Sequence, residues 1–332
     1  MPARSFKVGK IPPEALVRTV YSHTGRRNPR LIIGPGIGRD IAAVRYDPTL
    51  ILTTDPITGT STRIGEHSVE VNANDIASAG AKPVWYLCTI LLPAGSSEKI
   101  LSDIMKGIDK ASRRLGITVA RGHTEATRGL DRPIIAGFMI GERRGRIFRA
   151  EDIRVGDMIV LTKTAGVEGT AILASDYAHR LKQIPPEALR RARRFSSQIS
   201  VVKEALSLAK IPGVRVIHDP TEGGILNASW ELGEAAHLGV EIWADKIPVA
   251  KETLMICTRL RLDPLKLMSS GCLLTVVDPR HVDRVVRVLR KLRVGASLIG
   301  TITPLAEGSH YSINGKQCNL LAVPQDELYK LA

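Results

Sequence analysis

The sequence predicts an α/β or α+β fold built from two successive units. Short apolar runs typical of strands alternate with longer runs typical of helices. This alternation stops in the basic, glycine-containing stretch from Gly141 to Arg154 and then starts again. The length of 332 residues also fits two domains of about 150 residues each. We therefore expect domains over residues 1–150 and 151–332.

The first unit is predicted to contain two helices among its strands. The strands are expected at Ile41 to Val44, Leu50 to Thr54, Val84 to Leu92, Ile117 to Ala120 and Ile134 to Ile140. The helices are expected at Ile64 to Ala79 and Ser97 to Leu115. Gly80 and Gly116 follow these helices, where a residue with a left-handed backbone commonly ends a helix.

The second unit repeats the alternation. The strands are expected at Asp157 to Thr162, Val214 to Ile217, Val240 to Trp243 and Leu273 to Val277. The helices are expected at Val167 to Ala178, Ser196 to Ala209, Glu222 to His237 and Arg280 to Leu292. Because Ala178 to Arg194 is polar and contains prolines, we expect a connection there.

Composition excludes several classes of protein. Apolar residues make up 44% of the chain and charged residues 24%, which excludes wholesale disorder and fibrous structure. The longest charge-free stretch, Pro83 to Ser97, is too short for a membrane span of about 20 apolar residues. The N-terminus has no apolar signal segment, and the four cysteines form no CxxC pair. We expect a reduced, cytoplasmic protein without structural zinc.

The net charge of +14 permits binding to anions such as nucleotides. The excess of arginine and lysine is concentrated in a few segments, which is typical of solvated surfaces. Aromatic residues make up only 4%, so base stacking on nucleic acid is not favoured. A nucleic-acid partner is the weakest interpretation.

A glycine-rich segment is the first candidate for binding. Gly34, Gly36 and Gly38 alternate, and Asp40 follows before an apolar strand. The N–H groups of such a segment can cradle phosphate. The spacing matches neither a P-loop nor a dinucleotide-binding fingerprint, and a surface loop explains the segment equally well.

Acidic and amide side chains form the next candidates. Asp55 ends a predicted strand, although Asp followed by Pro also starts turns. Asn72 and Asp75 lie three residues apart on one helix face, with Asn74 between them and small residues around them. Oxygen ligands of this kind suit Mg²⁺. The alternative is a helix-packing face with a solvated aspartate.

Two strand-to-loop junctions supply the remaining candidates. His123 and Thr124 follow a predicted strand, where polar groups often face a ligand. Asp219 is predicted to cap a helix together with Pro220 and Glu222. Such a helix start can also face a phosphate or a metal ion. Cys272 begins an apolar strand, and we expect it to be buried.

The order of these segments resembles the AIR-synthetase-like superfamily. That superfamily includes aminoimidazole ribonucleotide synthetase, selenophosphate synthetase, thiamine-monophosphate kinase and the hydrogenase-maturation protein HypE. The similar segments are GIGRDIAAV, TTDPITG, NANDIASAGAKP, RGHTEAT, HDPTEGGIL, SSGCLLTVV and GASLIGTIT. The segment HDPTEGGIL is closest to the HypE branch and unlike the corresponding segment of the thiamine kinases.

The resemblance implies a two-domain fold in which the N-terminal domains of two chains pair into a shared β-barrel. ATP and Mg²⁺ would bind in the cleft between the domains. Asp40, Asp55 and Asp75 would be the metal-site acids, and Gly34, Gly36, Gly38, Asn72, Asn74, Thr124 and Asp219 would support the nucleotide. Asp55, His123 and Asp219 are the candidates for catalysis.

The chain departs from the HypE pattern at its end and within the motifs. HypE ends in a cysteine that carries the carbamoyl group, whereas the last cysteine here is Cys318. We expect Cys318 to precede a packed strand. Arg39 and His123 replace acids found in several relatives.

The resemblance therefore implies an ATP-dependent enzyme of the HypE-like branch. It would activate a carbonyl-type oxygen by phosphate transfer, on an unidentified small substrate or carrier protein, in the maturation of a hydrogenase or another metalloenzyme. The alternatives are a small-molecule kinase of the thiamine-monophosphate type and a nucleotide-binding partner protein without turnover.

Overall fold

The structure is a computed structural model. It describes residues 13–14, 17, 29–33, 36–37, 39, 41–60, 62–143 and 146–331. Strands within these ranges form one sheet of six strands and another of seven. In the described residues, none of the helices is both long and apolar enough to span a membrane.

The first sheet contains six strands in the order β1-β2-β3-β6-β4-β5. Its strands are β1 (Leu31–Ile33), β2 (Ala42–Val44), β3 (Thr49–Ile57), β4 (Lys82–Pro93), β5 (Thr118–Thr127) and β6 (Ile134–Arg143). All neighbours are antiparallel except β4 and β5. Helices α1 (Ile64–Ser78) and α2 (Glu98–Leu115) pack together, and α1 lies against β3 and β6.

The second sheet contains seven strands in the order β13-β12-β9-β11-β7-β10-β8. Its strands are β7 (Met158–Thr162), β8 (Val214–His218), β9 (Gly239–Trp243), β10 (Leu274–Val277), β11 (Ala296–Thr303), β12 (His310–Ile313) and β13 (Lys316–Asn319). Its helices are α3 (Val167–Asp176), α4 (Pro186–Arg194), α5 (Val202–Leu208), α6 (Gly224–Ala236), α7 (Lys251–Leu260) and α8 (Val282–Lys291). Antiparallel pairs predominate here too.

Helix α1 is the centre of the molecule. All fifteen of its residues are buried. It packs against the first sheet and α2, and also against α5 of the second unit. A single apolar core therefore runs through both units, including Ile76 from α1 and Ala205 from α5. Since α1 is buried on every side, each of its polar side chains needs a partner from a neighbouring element.

The sheet face opposite α1 is apolar and solvent-exposed. Alternate strand residues such as Ile51 and Met139 point toward the helices and are buried. On the other face, Trp85 is 42% exposed and Phe138 44% exposed. The edge strand β5 is exposed along almost its whole length. This open apolar face is unusual for a chain that acts alone.

Several predicted boundaries were wrong. The strand expected to end at Ala120 continues to Thr127, because β5 pairs with β4 over seven further register positions, from Arg121 to Thr127. The expected connection before Arg194 contains α4, with Ala188 and Ala192 buried and Pro186 in its first turn. The helix expected from Ser196 begins as α5 only at Val202. Helix α7 was not predicted.

Other local predictions were confirmed. Gly80 and Gly116 both have a positive φ, of 73° and 69°, at the ends of α1 and α2. Cys272 is fully buried, and burial raises the pKa of its thiol to about 12. A packed strand after Cys318 was wrong, because β13 ends at Asn319 and Leu321 is 68% exposed.

Candidate functional site

Asn72 joins α1 to strand β3. Its Oδ1 accepts a hydrogen bond from the backbone N–H of Asp55 at 3.0 Å, and its Nδ2 donates to the Asp55 carbonyl at 3.2 Å. Gly137 lies opposite Asp55 on β6, where a Cβ would stand only 2.4 Å from the Asn72 amide. The glycine therefore allows this approach, and the amide of Asn72 is used to hold the strand rather than directed at a nucleotide.

Asn74 joins the two units in the same way. Its Nδ2 donates to the Ile199 carbonyl at 2.9 Å, and its Oδ1 accepts from the Val201 N–H at 2.8 Å. Both sides of the amide are paired with the backbone just before α5. The structure therefore gives Asn72 and Asn74 bridging roles, and their support of a nucleotide site stays a prediction.

Asp75 lies one turn beyond Asn72 and faces the same strand. Thr53 donates its hydroxyl to Asp75 Oδ2 at 2.7 Å. Thr53 and Asp55 are two residues apart on one face of β3, about 7 Å along the strand. The structure thus places Asp75 beside Thr53, two residues from Asp55 on the same face of β3.

The two carboxylates nevertheless line different cavities. We call the first, of about 140 Å³, the Asp75 cavity; it lies between the units. Its polar lining residues are Arg39, Asp75, Ser78, Arg149, Glu151 and His218. The rest of its lining is mostly apolar and includes Ile33, Phe148 and Leu232. Arg39 donates to Glu151 at 3.1 Å.

The second cavity, of about 170 Å³, is the acidic cavity. Its carboxylates come from Asp55, Glu168 and Glu222, and its hydroxyls include those of Thr221, Ser270 and Tyr329. None of the described residues that line it is a lysine or an arginine.

The segment between β8 and α6 separates the two cavities. His218 lines the Asp75 cavity, whereas Thr221 and Glu222 line the acidic cavity. Asp219 lies between them, is buried, and accepts a hydrogen bond from Ser78 at 3.4 Å. Asp219 therefore approaches α1 from the second unit, as the resemblance implied.

The predicted capping role of Asp219 was wrong. Helix α6 begins at Gly224, and the residue before it, Gly223, has a φ of 80° that favours glycine. The N–H of Gly223 donates instead to Asp326 near the C-terminus, at 2.7 Å. Burial raises the pKa of Asp326 to about 7. A distant carboxylate thus accepts the N–H of the residue before α6, and no side chain among the described residues caps the helix itself.

A buried ion pair also connects the units beside the acidic cavity. His67 on α1 and Glu168 on α3 approach to 2.5 Å, and both side chains are less than a tenth exposed. Burial alone would lower the pKa of His67, but Glu168 outweighs it and raises that pKa. Burial would likewise raise the pKa of Glu168, but His67 lowers it. Each member of the pair therefore stabilises the charged form of the other.

Sequence reasoning missed this pair, and also Arg149 and Tyr329. His67 and Glu168 are 101 residues apart, so no local spacing relates them. Tyr329 is in the C-terminal segment and donates to Glu222 Oε1 at 2.7 Å. A polar residue in the middle of the small-residue helix α1 was the one available signal, and it applied only to His67.

The remaining predicted site residues, apart from Gly36, lie either outside the described residues or on strand β5. The described residues do not include Gly34, Gly38 and Asp40. From the same glycine-rich segment, Arg39 lines the Asp75 cavity, and Gly36 lies beside Arg39. His123 and Thr124 were expected after a strand but lie within β5. Because β5 is three strands from β3, they are about 14 Å away across the sheet.

Both halves of the chain match known family models. The model for the N-terminal domain of AIR synthase related proteins matches residues 38–143, and that for the C-terminal domain matches residues 154–312. The chain is 29% identical over 272 residues to a putative hydrogenase expression/formation protein of Methanocaldococcus jannaschii, covering 79% of this chain and 78% of the relative.

A second relative and a solved structure are similar along most of their length. Carbamoyl dehydratase HypE of Cupriavidus necator is 29% identical over 260 residues, covering 75% of this chain and 69% of the relative. A crystal structure of hydrogenase maturation protein HypE in complex with ATP has a TM-score of 0.73 at 20% identity. The superposition covers 97% of this chain and 98% of that chain. The two chains are therefore similar in fold.

Proposed function

The chain belongs to the AIR synthase related family, and from that premise we propose that it is an ATP-dependent enzyme of the HypE-like branch. It transfers phosphate from ATP to a carbonyl-type oxygen and so activates that oxygen. The acceptor is a small substrate or a group on a carrier protein, in the maturation of a hydrogenase or another metalloenzyme. Relatives named as carbamoyl dehydratases support this proposal.

One observation carries the proposal: three of the matching segments, GIGRDIAAV, NANDIASAGAKP and HDPTEGGIL, supply residues to the lining of the Asp75 cavity. Asp75 and Ser78 come from α1, His218 and Asp219 come from the second unit, and Arg39 comes from the glycine-rich segment. The guanidinium groups of Arg39 and Arg149 suit phosphate oxygens. The apolar lining beside them suits a nucleotide base.

The residues present also fit Mg²⁺. This ion is usually held by one or two carboxylates together with substrate phosphates and water. Asp75 supplies one carboxylate beside Thr53, Asp55 supplies another two residues along the same strand, and Asp40 is the third acid that the resemblance implies. When bound, Mg²⁺ would neutralise charge on the phosphate oxygens, while the two aspartates orient the ion.

Phosphate release from ATP tests the proposal. We expect Mg²⁺-dependent release by the full chain, alone or with an added candidate substrate or maturation partner, and none in the presence of a chelator. ATP binding without release under all these conditions would favour the alternative of a partner protein without turnover. Transfer of phosphate to a phosphate monoester of the thiamine-monophosphate type, giving the diphosphate, would favour the kinase alternative.

We also propose that two chains pair through the first sheet, because its outer face is apolar and exposed. Replacing Phe138, which is 44% exposed there, with Asp should convert a dimer into a monomer. Light scattering at micromolar concentration should then report a fall from twice the chain mass to 36.1 kDa. Leu305→Asp is the control, because Leu305 is 64% exposed but lies in the second unit. A monomeric wild-type chain would contradict this proposal.

Cys318 is not expected to carry substrate. It lies on β13, paired with Tyr311 of β12, and is partly buried. A carrier thiol needs an exposed, mobile position and an environment that favours the thiolate. Cys318→Ser should therefore change ATP turnover by less than about twofold. Loss of ATP turnover in a folded Cys318→Ser variant would show that Cys318 does carry substrate.

A further inference from the structure

The C-terminal end of the described chain is bound to the loop between β8 and α6. We call residues 326–331 the C-terminal clamp. Within it, Asp326 accepts the N–H of Gly223 at 2.7 Å, and Tyr329 donates its hydroxyl to Glu222 Oε1, also at 2.7 Å. Two successive residues of the loop are therefore held by partners that lie 103 and 107 positions away in the sequence.

The C-terminal clamp is anchored in the second unit by other contacts. Leu328 is fully buried and packs in the same apolar cluster as Leu173 of α3. Glu327 is also buried, and its Oε2 accepts the N–H of Asp263 at 3.1 Å. Its Oε1 accepts a hydrogen bond from Lys330 at 2.6 Å. Because none of these contacts involves the loop between β8 and α6, the clamp is a separate support for that loop.

The loop that the clamp holds carries a candidate for catalysis and has little local support. Asp219 lies three residues before Glu222, and it accepts a hydrogen bond from Ser78 on α1 at 3.4 Å. Helix α6 begins without a side-chain cap. Gly223 and Gly224 both have a positive φ, of 80° and 63°, and glycine has a weak preference for any one backbone conformation. The bonds from the clamp therefore help to fix this loop, and with it Asp219, relative to α1.

Tyr329 also reaches the first unit across the acidic cavity. A Cβ added to Gly59 would stand 3.9 Å from the Tyr329 hydroxyl oxygen, so this oxygen lies close to the loop after β3. Both residues line the acidic cavity together with Asp55. The hydroxyl of Tyr329 therefore stands where the two units meet, between the segments that carry Asp55 and Asp219.

We propose that Tyr329 is a positioning residue for the reaction, which holds the loop between β8 and α6 through Glu222 and so fixes Asp219 against α1. The assignment rests on the proposed function, because the loop follows His218, which lines the Asp75 cavity. A small displacement of a reacting or orienting group can slow a reaction many-fold. Since Tyr329 does not line the Asp75 cavity, the clamp should affect the rate of the reaction more than the affinity for nucleotide.

Steady-state kinetics of the full chain test the assignment, under the conditions that support ATP turnover in the wild type. Tyr329→Phe keeps the ring and removes the hydroxyl, and we expect kcat per folded molecule to fall about tenfold while KM for ATP stays within about twofold. Tyr177→Phe is the control, because Tyr177 stacks on His179 and lines neither cavity. A lower melting temperature with an unchanged kcat per folded molecule would show a structural role alone and would overturn the proposal.

Variants of the partner test whether Tyr329 acts through Glu222. Glu222→Gln keeps an oxygen that can accept from Tyr329 and should keep kcat within about twofold, whereas Glu222→Leu should lose as much as Tyr329→Phe. The double variant of Tyr329→Phe and Glu222→Leu should lose no more than the larger single loss, because both changes break the same bond. Equal losses with Gln and Leu, or additive losses, would overturn the proposal. If Tyr329→Phe fails to fold, the comparison of Gln with Leu decides.

Hydrogen exchange separates this inference from the proposed function. Exchange is measured without nucleotide on the peptide that covers residues 221–227. We expect the Gly223 N–H to exchange about tenfold faster in Tyr329→Phe, the ratio that one charged hydrogen bond supplies, and at the wild-type rate in Tyr177→Phe. Faster exchange in a chain without ATP turnover would support the clamp and contradict the proposed function. Unchanged exchange in Tyr329→Phe would overturn the clamp even if the wild-type chain turns over ATP.

Discussion

Replacing Asp75 with Asn should weaken Mg²⁺-dependent binding of ATP by about 2–4 kcal/mol, which is the range for removing one preorganised electrostatic group from an active site. The same loss is expected for Asp55→Asn. Two neighbouring carboxylates repel one another unless a cation lies between them. A bound Mg²⁺ removes that repulsion and links the carboxylates to the phosphates, so the loss of either one weakens the link.

Calorimetric titration with ATP, with and without Mg²⁺, measures this effect. Asn can still accept the hydrogen bond that Thr53 donates to Asp75, so packing should survive and thermal melting should stay near that of wild type. Asp109→Asn is the control, because Asp109 lies on the exposed surface of α2. If Asp75 only fixes Thr53 and Asp55 only begins a turn, both variants will bind ATP like wild type, and the site assignment is wrong.

Breaking the His67–Glu168 pair should lower the free energy of unfolding by about 3–5 kcal/mol, because the remaining member would be a buried charge without its partner. His67→Ala and Glu168→Gln should each show this loss in denaturant unfolding. The double variant should cost clearly less than the sum of the two single variants, since it leaves neither charge unpaired. If the losses in unfolding free energy of the two single variants add up in the double variant, the two side chains contribute to stability independently of one another.

The contribution of this pair should also depend on pH, with a sign that follows from the two pKa shifts. The pKa of His67 is raised in the folded chain, so its contribution is complete below the ordinary value of 6.5 and is lost as pH rises through the raised pKa. The pKa of Glu168 is lowered, so its contribution is complete above the ordinary value of 4.5 and is lost as pH falls through the lowered pKa.

The stability difference between wild type and the double variant should therefore be largest from about pH 4.5 to 6.5 and should decline on both sides. Denaturant unfolding at a series of pH values measures this difference. A difference that is constant from pH 4 to 9 would contradict the assignment of charge to the pair.

The elements with strong local signals could be predicted from the sequence. Helices α1 and α2, with a glycine after each, and the buried parts of β3, β4 and β6 follow from side-chain periodicity and backbone preference, which act between residues a few positions apart. The motifs around Asp55, Asp75 and Asp219 also identified the family, because they lie in contiguous segments.

Only the tertiary structure decided what those residues do. Strand order and the antiparallel pairing of β3 with β6 depend on residues 78 (Ile57 and Ile135) to 94 (Thr49 and Arg143) positions apart. The approach of Asn72 to β3 depends on Gly137. The hydrogen bond from Asn74 ends at Ile199, and the N–H before α6 is bound by Asp326. Local sequence patterns report interactions between residues that are close along the chain. A buried polar group instead forms its hydrogen bond with the partner that tertiary packing places beside it. At each of these positions that partner is distant in the sequence.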